Sequence, residues 1–171
     1  MRTKVMQVTK VVRADEKTFL DLLDGARLEP LSPSREDAYC VMKGTIPPGV
    51  SVPIHSHADA ESFYVLSGEA QVLVATEAGL QWQTLRPGDF IHIPGGAKHA
   101  WRNVSGEPMA ALITCTAKLG RALREMGQLA SEAGKRIPRP ADIQRLMEIS
   151  ERYGYWLGNR GENAAVGIEL A

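Results

Sequence analysis

The sequence predicts an all-β fold: one jelly-roll-like barrel with a short N-terminal arm before it and two helices after it. Three observations carry this. Between residues 38 and 116, short β-prone runs alternate with turn signals at intervals of roughly 8–12 residues. After 116 the apolar period becomes helical. The length, 171 residues, suits a single domain with appendages.

The N-terminal arm is residues 1–37. Val5, Val8, Val11 and Val12 alternate weakly and predict a strand over 3–12. Asp15 is placed to cap a short helix over 16–24, with Phe19, Leu22 and Leu23 on one face and Gly25 as its stop. Ser32 to Asp37 reads as a polar loop.

The barrel is residues 38–116, with strands expected at 38–46, 51–57, 61–66, 70–75, 80–85, 90–94, 99–104 and 109–116. Arg86-Pro87-Gly88-Asp89 places Pro and Gly where a type II turn needs fixed negative and then positive φ. Closing eight such strands on themselves protects their edges.

Residues 117–171 are expected to pack on the barrel. Leu119, Leu123, Met126 and Ala130 recur at helical steps, and Gly134 closes that helix. Pro140 suits the first turn of a second helix, with Ile143, Leu146, Met147 and Tyr153 as its apolar stripe and Gly154 as its end. Residues 155–171 are expected to form a loose tail.

Composition bounds the function. Lysine plus arginine and aspartate plus glutamate are 20 each, so no positive excess points to nucleic acid or an anionic membrane. No run of about 18 apolar residues is present, and no signal-peptide core forms after Met1, so the cytoplasm is the expected location. Cys40 and Cys115 cannot build a disulfide framework and read as two buried thiols.

The four histidines are the informative residues. His55 and His57 lie two apart on a strand and so share a face, and Glu61 opens the returning strand. A second hairpin, turning at Pro94-Gly95-Gly96, brings His99 to the start of its own return strand. Three imidazoles and a carboxylate suit one divalent transition-metal ion: iron, manganese, nickel, copper, cobalt or zinc. Such a set leaves positions open for substrate. By strand parity Phe63 and Val65 follow Glu61 inward and Trp101 follows His99, so these three are candidate pocket residues. His92 reads as an exterior strand residue, with a place in the pocket as the alternative, and Tyr64 is expected to point outward.

These two blocks resemble the two motifs of the cupin superfamily. The first is Gly49, five residues, His55-Ser56-His57, three residues, Glu61, six residues, Gly68. The second is Gly88, five residues, Pro94, one residue, Gly96, two residues, His99, three residues, Asn103. The resemblance implies a double-stranded β-helix barrel with His55, His57, Glu61 and His99 as metal ligands and Glu61 able to act as a base. The Pro-rich linker and Tyr153-Gly154 loosely resemble small quercetinase-like cupins, which implies a metal-dependent dioxygenase acting on a small aromatic or enolic substrate. The alternatives are a non-oxidative isomerase or lyase, or a small-molecule-binding cupin without catalysis. A homodimer, with the N-terminal arm exchanged onto a partner sheet, is also expected.

Overall fold

The structure is a computed structural model describing residues 11–32, 38–129 and 139–170. Its strands, in chain order, are β1 (Leu20–Asp21), β2 (Arg27–Pro30), β3 (Tyr39–Ile46), β4 (Ser51–Ser56), β5 (Glu61–Ser67) and β6 (Ala70–Thr76). They continue with β7 (Gly79–Leu85), β8 (Phe90–Ile93), β9 (His99–Arg102) and β10 (Met109–Thr116). Helix α1 (Ala117–Met126), β11 (Gln128–Leu129), α2 (Pro140–Tyr153), β12 (Trp156–Leu157) and α3 (Arg160–Ala165) complete the chain.

The strands form two antiparallel sheets, a seven-stranded one in the order β11-β1-β2-β3-β10-β5-β8 and a five-stranded one in the order β12-β4-β9-β6-β7. All eight expected barrel strands are present within two residues of their predicted ends, the largest shift being from 99–104 to 99–102. Among the described residues the sheets face each other as a jelly-roll sandwich rather than joining by hydrogen bonds into one closed cylinder. Met42, Val65, Val72, Trp101 and Met109 fill the space between them, each at most 3% exposed. The Arg86–Asp89 turn forms as read, with Gly88 at φ 93° and the Asp89 N–H donating to the Arg86 carbonyl at 2.9 Å.

The N-terminal arm departs from expectation. The strand read over 3–12 lies almost wholly outside the described residues. The helix read over 16–24 is absent; β1 and β2 form a hairpin there, pairing Leu20 with Leu28 and Asp21 with Arg27. The sheet edge offered by β3 decides this, because pairing onto it buries Leu20 and Leu28, whereas Phe19 of the supposed helical stripe stays exposed. Gly25 serves the hairpin turn at φ 96° instead of a helix end.

At the other end, Thr116 caps α1 by accepting the Leu119 N–H, and Gly127 ends the helix earlier than Gly134 would. Helix α2 begins at Pro140 and ends in a left-handed Gly154, as read. Its buried stripe differs: Asp142, Ile149 and Ser150 face inward, while Ile143 and Met147 are exposed. Residues 155–170 are built rather than loose. Strand β12 adds to β4, and Trp156, Val166 and Ile168 cover Ile54, Leu73 and Ala100 on the outer face of the five-stranded sheet. Among the described residues no helix is long and apolar enough to cross a membrane.

Candidate metal centre

Strand β4 contains the local device that aims His55. Across β9, Val52 pairs with Trp101 and His55 with His99, so β4 holds one extra residue between the pairs, a bulge. In a regular strand Ile54 would oppose His99. The bulge turns Ile54 to the outer sheet face and His55 inward. Pro53 sits in this bulge, where the missing N–H breaks no ladder bond. Its freed carbonyl lies 2.8 Å from His55 Nδ1.

The other donors follow from loops and strand ends. His57 lies just past β4, Glu61 opens β5 and His99 opens β9, and all three are buried. The two hairpin loops touch: the Gly96 N–H donates to the His57 carbonyl at 2.7 Å. A Cβ at Gly95 would lie 2.1 Å from the Ala58 carbonyl oxygen, so only glycine permits that approach. Asn103 braces the far end, its amide donating to the Ile46 and Glu107 carbonyls at 2.8 Å each.

His55, His57 and His99 converge, with one ring nitrogen from each within 4.8 Å of the others. Each Nδ1 is engaged by a carbonyl two residues away: His55 by Pro53 at 2.8 Å, His57 by Asp59 at 2.8 Å and His99 by Ala97 at 2.9 Å. That places the proton on Nδ1 and leaves the Nε2 lone pairs free. Glu61 Oε1 stands 2.9 Å from His99 Nε2 and 3.6 Å from His57 Nε2. Even at 2.9 Å the His99 nitrogen makes no aligned hydrogen bond, and it is buried without a partner. A buried, unpaired nitrogen beside a carboxylate oxygen, with two further imidazoles converging, fits a cation at their meeting point. The three histidines therefore form a site for a single divalent metal ion.

The protonation of His55 and Glu61 agrees with that fit. Burial, and then the nearby His99, hold His55 down to about 3, so its ring is neutral at neutral pH. Burial alone would raise Glu61, but the contacts from His57 and His99 outweigh it and hold the carboxyl at about 2. Burial also opposes a charge on His57, yet Glu61 and Asp59 lift it above its usual value.

A cavity of about 90 Å³ opens beside this cluster. His55 and Glu61 form its polar end, and Phe63 and Trp101, with rings 4.7 Å apart, form one wall. Leu28 of the N-terminal hairpin and Leu123 of α1 also line it. Phe63 and Trp101 line the cavity. Val65 is buried in the core but is not part of the cavity wall. His92 is not in the pocket: it opposes Ser62 on the outer face, is exposed, and lies 2.9 Å from the Ser62 hydroxyl through Nδ1. Ser62 and Tyr64 alternate outward with respect to Glu61 and Phe63, and His92 follows their parity.

Two supporting residues escape sequence reading. The ring of Tyr155 lies 5.2 Å from that of His57. Asp59, which is 7% exposed, accepts from the Thr116 hydroxyl at 2.5 Å and, more weakly, from Tyr155 at 3.4 Å. Neither residue belongs to a spacing motif, and their proximity follows only from the path of the C-terminal segment.

Comparison with known proteins fits this geometry. The protein-family description "Cupin domain" matches residues 42–115, the span from β3 to β10 that holds all four donors. Over this span, under half of its length, the chain is similar to the cupin family. A curated relative, dimethylsulfoniopropionate lyase DddQ of Ruegeria pomeroyi, is 32% identical over 81 residues. That match covers 47% of this chain and 38% of the lyase, so the chain spans under two-fifths of its relative's length. Among solved structures, an RmlC-like cupin from Shewanella frigidimarina matches at TM-score 0.54 and 20% identity, covering 65% of this chain and 93% of that one. A single-substitution variant of oxalate decarboxylase from Bacillus subtilis matches at TM-score 0.50 and 21% identity, covering 58% and 27%. These two likenesses describe the fold.

Proposed function

We propose that this protein is a metal-dependent lyase acting on a small organic acid. The observation that carries the reading is the cluster of three imidazoles and Glu61, of which His55 and Glu61 line a mostly apolar cavity. The 32% identity to a lyase across the motif region favours elimination over the oxygen-dependent reaction expected from the C-terminal outline.

His55, His57 and His99 would hold the ion through Nε2, with Glu61 as a fourth ligand or as the base beside it. A divalent ion bound there supplies Lewis acidity to a substrate carboxylate or carbonyl oxygen. Glu61, ionised at neutral pH, is the group placed to take a proton from the carbon next to that oxygen. The C–H electrons form the new double bond and the β-substituent leaves with its own bonding pair. Phe63 and Trp101 press the apolar body of the substrate and exclude water. A cavity of 90 Å³ lies well below the roughly 300–1,000 Å³ of drug-sized sites, which favours a substrate of few heavy atoms.

The test is turnover of metal-loaded protein on a panel of β-substituted small carboxylates, under nitrogen and under air. Equal rates of alkene formation in both support the lyase. Oxygen consumed in step with substrate overturns it in favour of the dioxygenase. The expected homodimer remains part of this reading, with exposed Tyr64 and Phe90, cross-strand neighbours on the outer sheet face, as the surface for a second copy.

A further inference from the structure

The metal site does not use the two cysteines, which the fold nevertheless brings together. Cys115 on β10 is the direct register partner of Cys40 on β3, and both are buried. Directly opposed residues of an antiparallel pair have Cα atoms about 4.5–5.5 Å apart, inside the roughly 4.4–6.8 Å window that a disulfide spans.

A second observation concerns Cys40 alone. The Arg124 guanidinium donates to Cys40 Sγ at 3.4 Å, and its other contacts, to the Gly120 carbonyl at 3.3 Å and the Ser32 carbonyl at 2.8 Å, pin it there. A fixed cation on a buried sulfur favours the thiolate, the form that reacts. Gly120 makes room for this packing, since a Cβ there would lie 2.6 Å from Cys40 Sγ. The effect of the neighbouring Cys115 outweighs burial, Ser32 and Arg124 add to it, and the Cys40 thiol is held below its usual range.

A third observation ties the pair to the metal centre. On its other side, Cys115 is the register partner of Glu61. Cys40, Cys115 and Glu61 therefore form one row of buried side chains across β3, β10 and β5.

We propose that Cys40 and Cys115 are a redox-active dithiol, oxidised by a peroxide to a cross-strand disulfide, and that closing it weakens metal binding through Glu61. The chemistry balances in two steps. The Cys40 sulfur attacks a peroxide oxygen; the O–O bond breaks, one water leaves and Cys40 becomes a sulfenic acid. The Cys115 sulfur then attacks Cys40, an S–S bond forms, the S–O bond breaks and a second water leaves. Across both steps the thiols lose two electrons and two protons, and hydrogen peroxide is reduced to two waters. A thiol reductant restores the pair. Closing the disulfide re-sets Cys115 on β10, the register partner of Glu61 on β5. The coupling, though not the disulfide, rests on the metal reading above.

The experiment treats the full-length protein with hydrogen peroxide and reads intact mass, free thiols under denaturing conditions, and zinc affinity by calorimetry. The expected result is a mass loss of about 2 Da with both thiols gone and a peptide linking Cys40 to Cys115. Zinc binding should weaken at least about tenfold and recover on reduction, the range seen when a group supporting a ligand is lost. Cys115→Ser should stop at the sulfenic acid, a gain of about 16 Da trapped by dimedone, whereas Cys40→Ser should leave Cys115 unreactive. Two free thiols surviving in the folded chain, or disulfides only between chains, overturn the dithiol. A disulfide with zinc affinity unchanged within about twofold overturns the coupling. A reduced chain that binds no metal overturns the metal reading and the coupling together, while the mass readout still decides the disulfide.

Discussion

The Asn163 carboxamide replaces a strand partner for Ile54. Its Oδ1 accepts the Ile54 N–H at 2.9 Å, and its amide donates to the Gly158 and Asn159 carbonyls at 2.9 and 3.0 Å. The Gly158 N–H in turn donates to the Ile54 carbonyl at 2.8 Å. Asn163 is 0% exposed, and the strand it braces bears His55 at the next position. Asn163→Ala leaves a buried N–H and two carbonyls without these partners, at a cost of about 1–3 kcal/mol. Asn163→Asp should cost more, because it removes both donors and buries a charge. Chemical denaturation measures the cost, and hydrogen exchange at Ile54 and His55 should rise in both variants. Unchanged exchange there would detach the C-terminal segment from the metal strand.

The buried His99 nitrogen without a hydrogen-bond partner is the sharpest mark of a cation-binding position. His99→Ala should leave the sheets folded by circular dichroism while lowering metal affinity by more than about tenfold, since a ligand matters at least as much as its support. Metal content after dialysis, unchanged from the parent protein, would exclude His99 as a ligand.

Asp24 supplies a pH-dependent stability term away from the metal. Its Oδ1 accepts the Ala26 N–H at 2.8 Å in the β1–β2 turn, and burial pushes its carboxyl up to about 6, with hydrogen bonds only partly opposing. The folded chain thus holds this proton more tightly than the unfolded one, so the contribution to stability is complete below about pH 3.9 and is lost as pH rises through 6. Asp24→Asn keeps the acceptor and cannot ionise. It should match the parent protein near pH 4 and exceed it by up to about 3 kcal/mol at pH 8. Thermal melts at the two pH values test this; an equal difference at both refutes the assignment.

Much of this architecture was legible because β-hairpins are local. Turn residues such as Gly88 and the pairs of β-prone runs mark the eight strands β3 to β10, and the motif positions that fix His55, His57, Glu61 and His99 mark the site. What escaped depends on partners distant in sequence. Phe19, Leu22 and Leu23 have helical spacing, and only the open edge of β3 makes that segment a hairpin. Residues 155–170 have no strong period because they fold against Ile54 and Leu73 rather than against themselves. The opposition of Cys40 and Cys115, 75 positions apart in sequence, exists only once β3 and β10 pair.

Gly95 has an ordinary role in sequence and a strict one in space. Gly95→Ala drives a methyl group into the Ala58 carbonyl, 2.1 Å from an ideal Cβ, and so separates the loop before His99 from the loop between His57 and Glu61. The loss should be about 1–3 kcal/mol, as for other overpacked sites, together with weaker metal binding. Gly106, where an added Cβ meets nothing within 4 Å, is the control: Gly106→Ala should alter neither property.

Tyr155 separates the effect of a ring from that of a hydroxyl. Its hydroxyl reaches Asp59 at 3.4 Å, a long contact, whereas Thr116 holds the other oxygen of the same carboxylate at 2.5 Å. Its ring covers His57, whose Nδ1 is oriented by the Asp59 carbonyl. Tyr155→Phe should therefore keep metal affinity within about threefold, because Thr116 still anchors Asp59 and the ring remains. Tyr155→Ala uncovers His57 to water and frees its ring to turn, and should weaken binding about tenfold or more. Cobalt titration reads both variants, and the visible spectrum should change only in the alanine protein. If phenylalanine and alanine weaken binding equally, the hydroxyl rather than the ring positions His57.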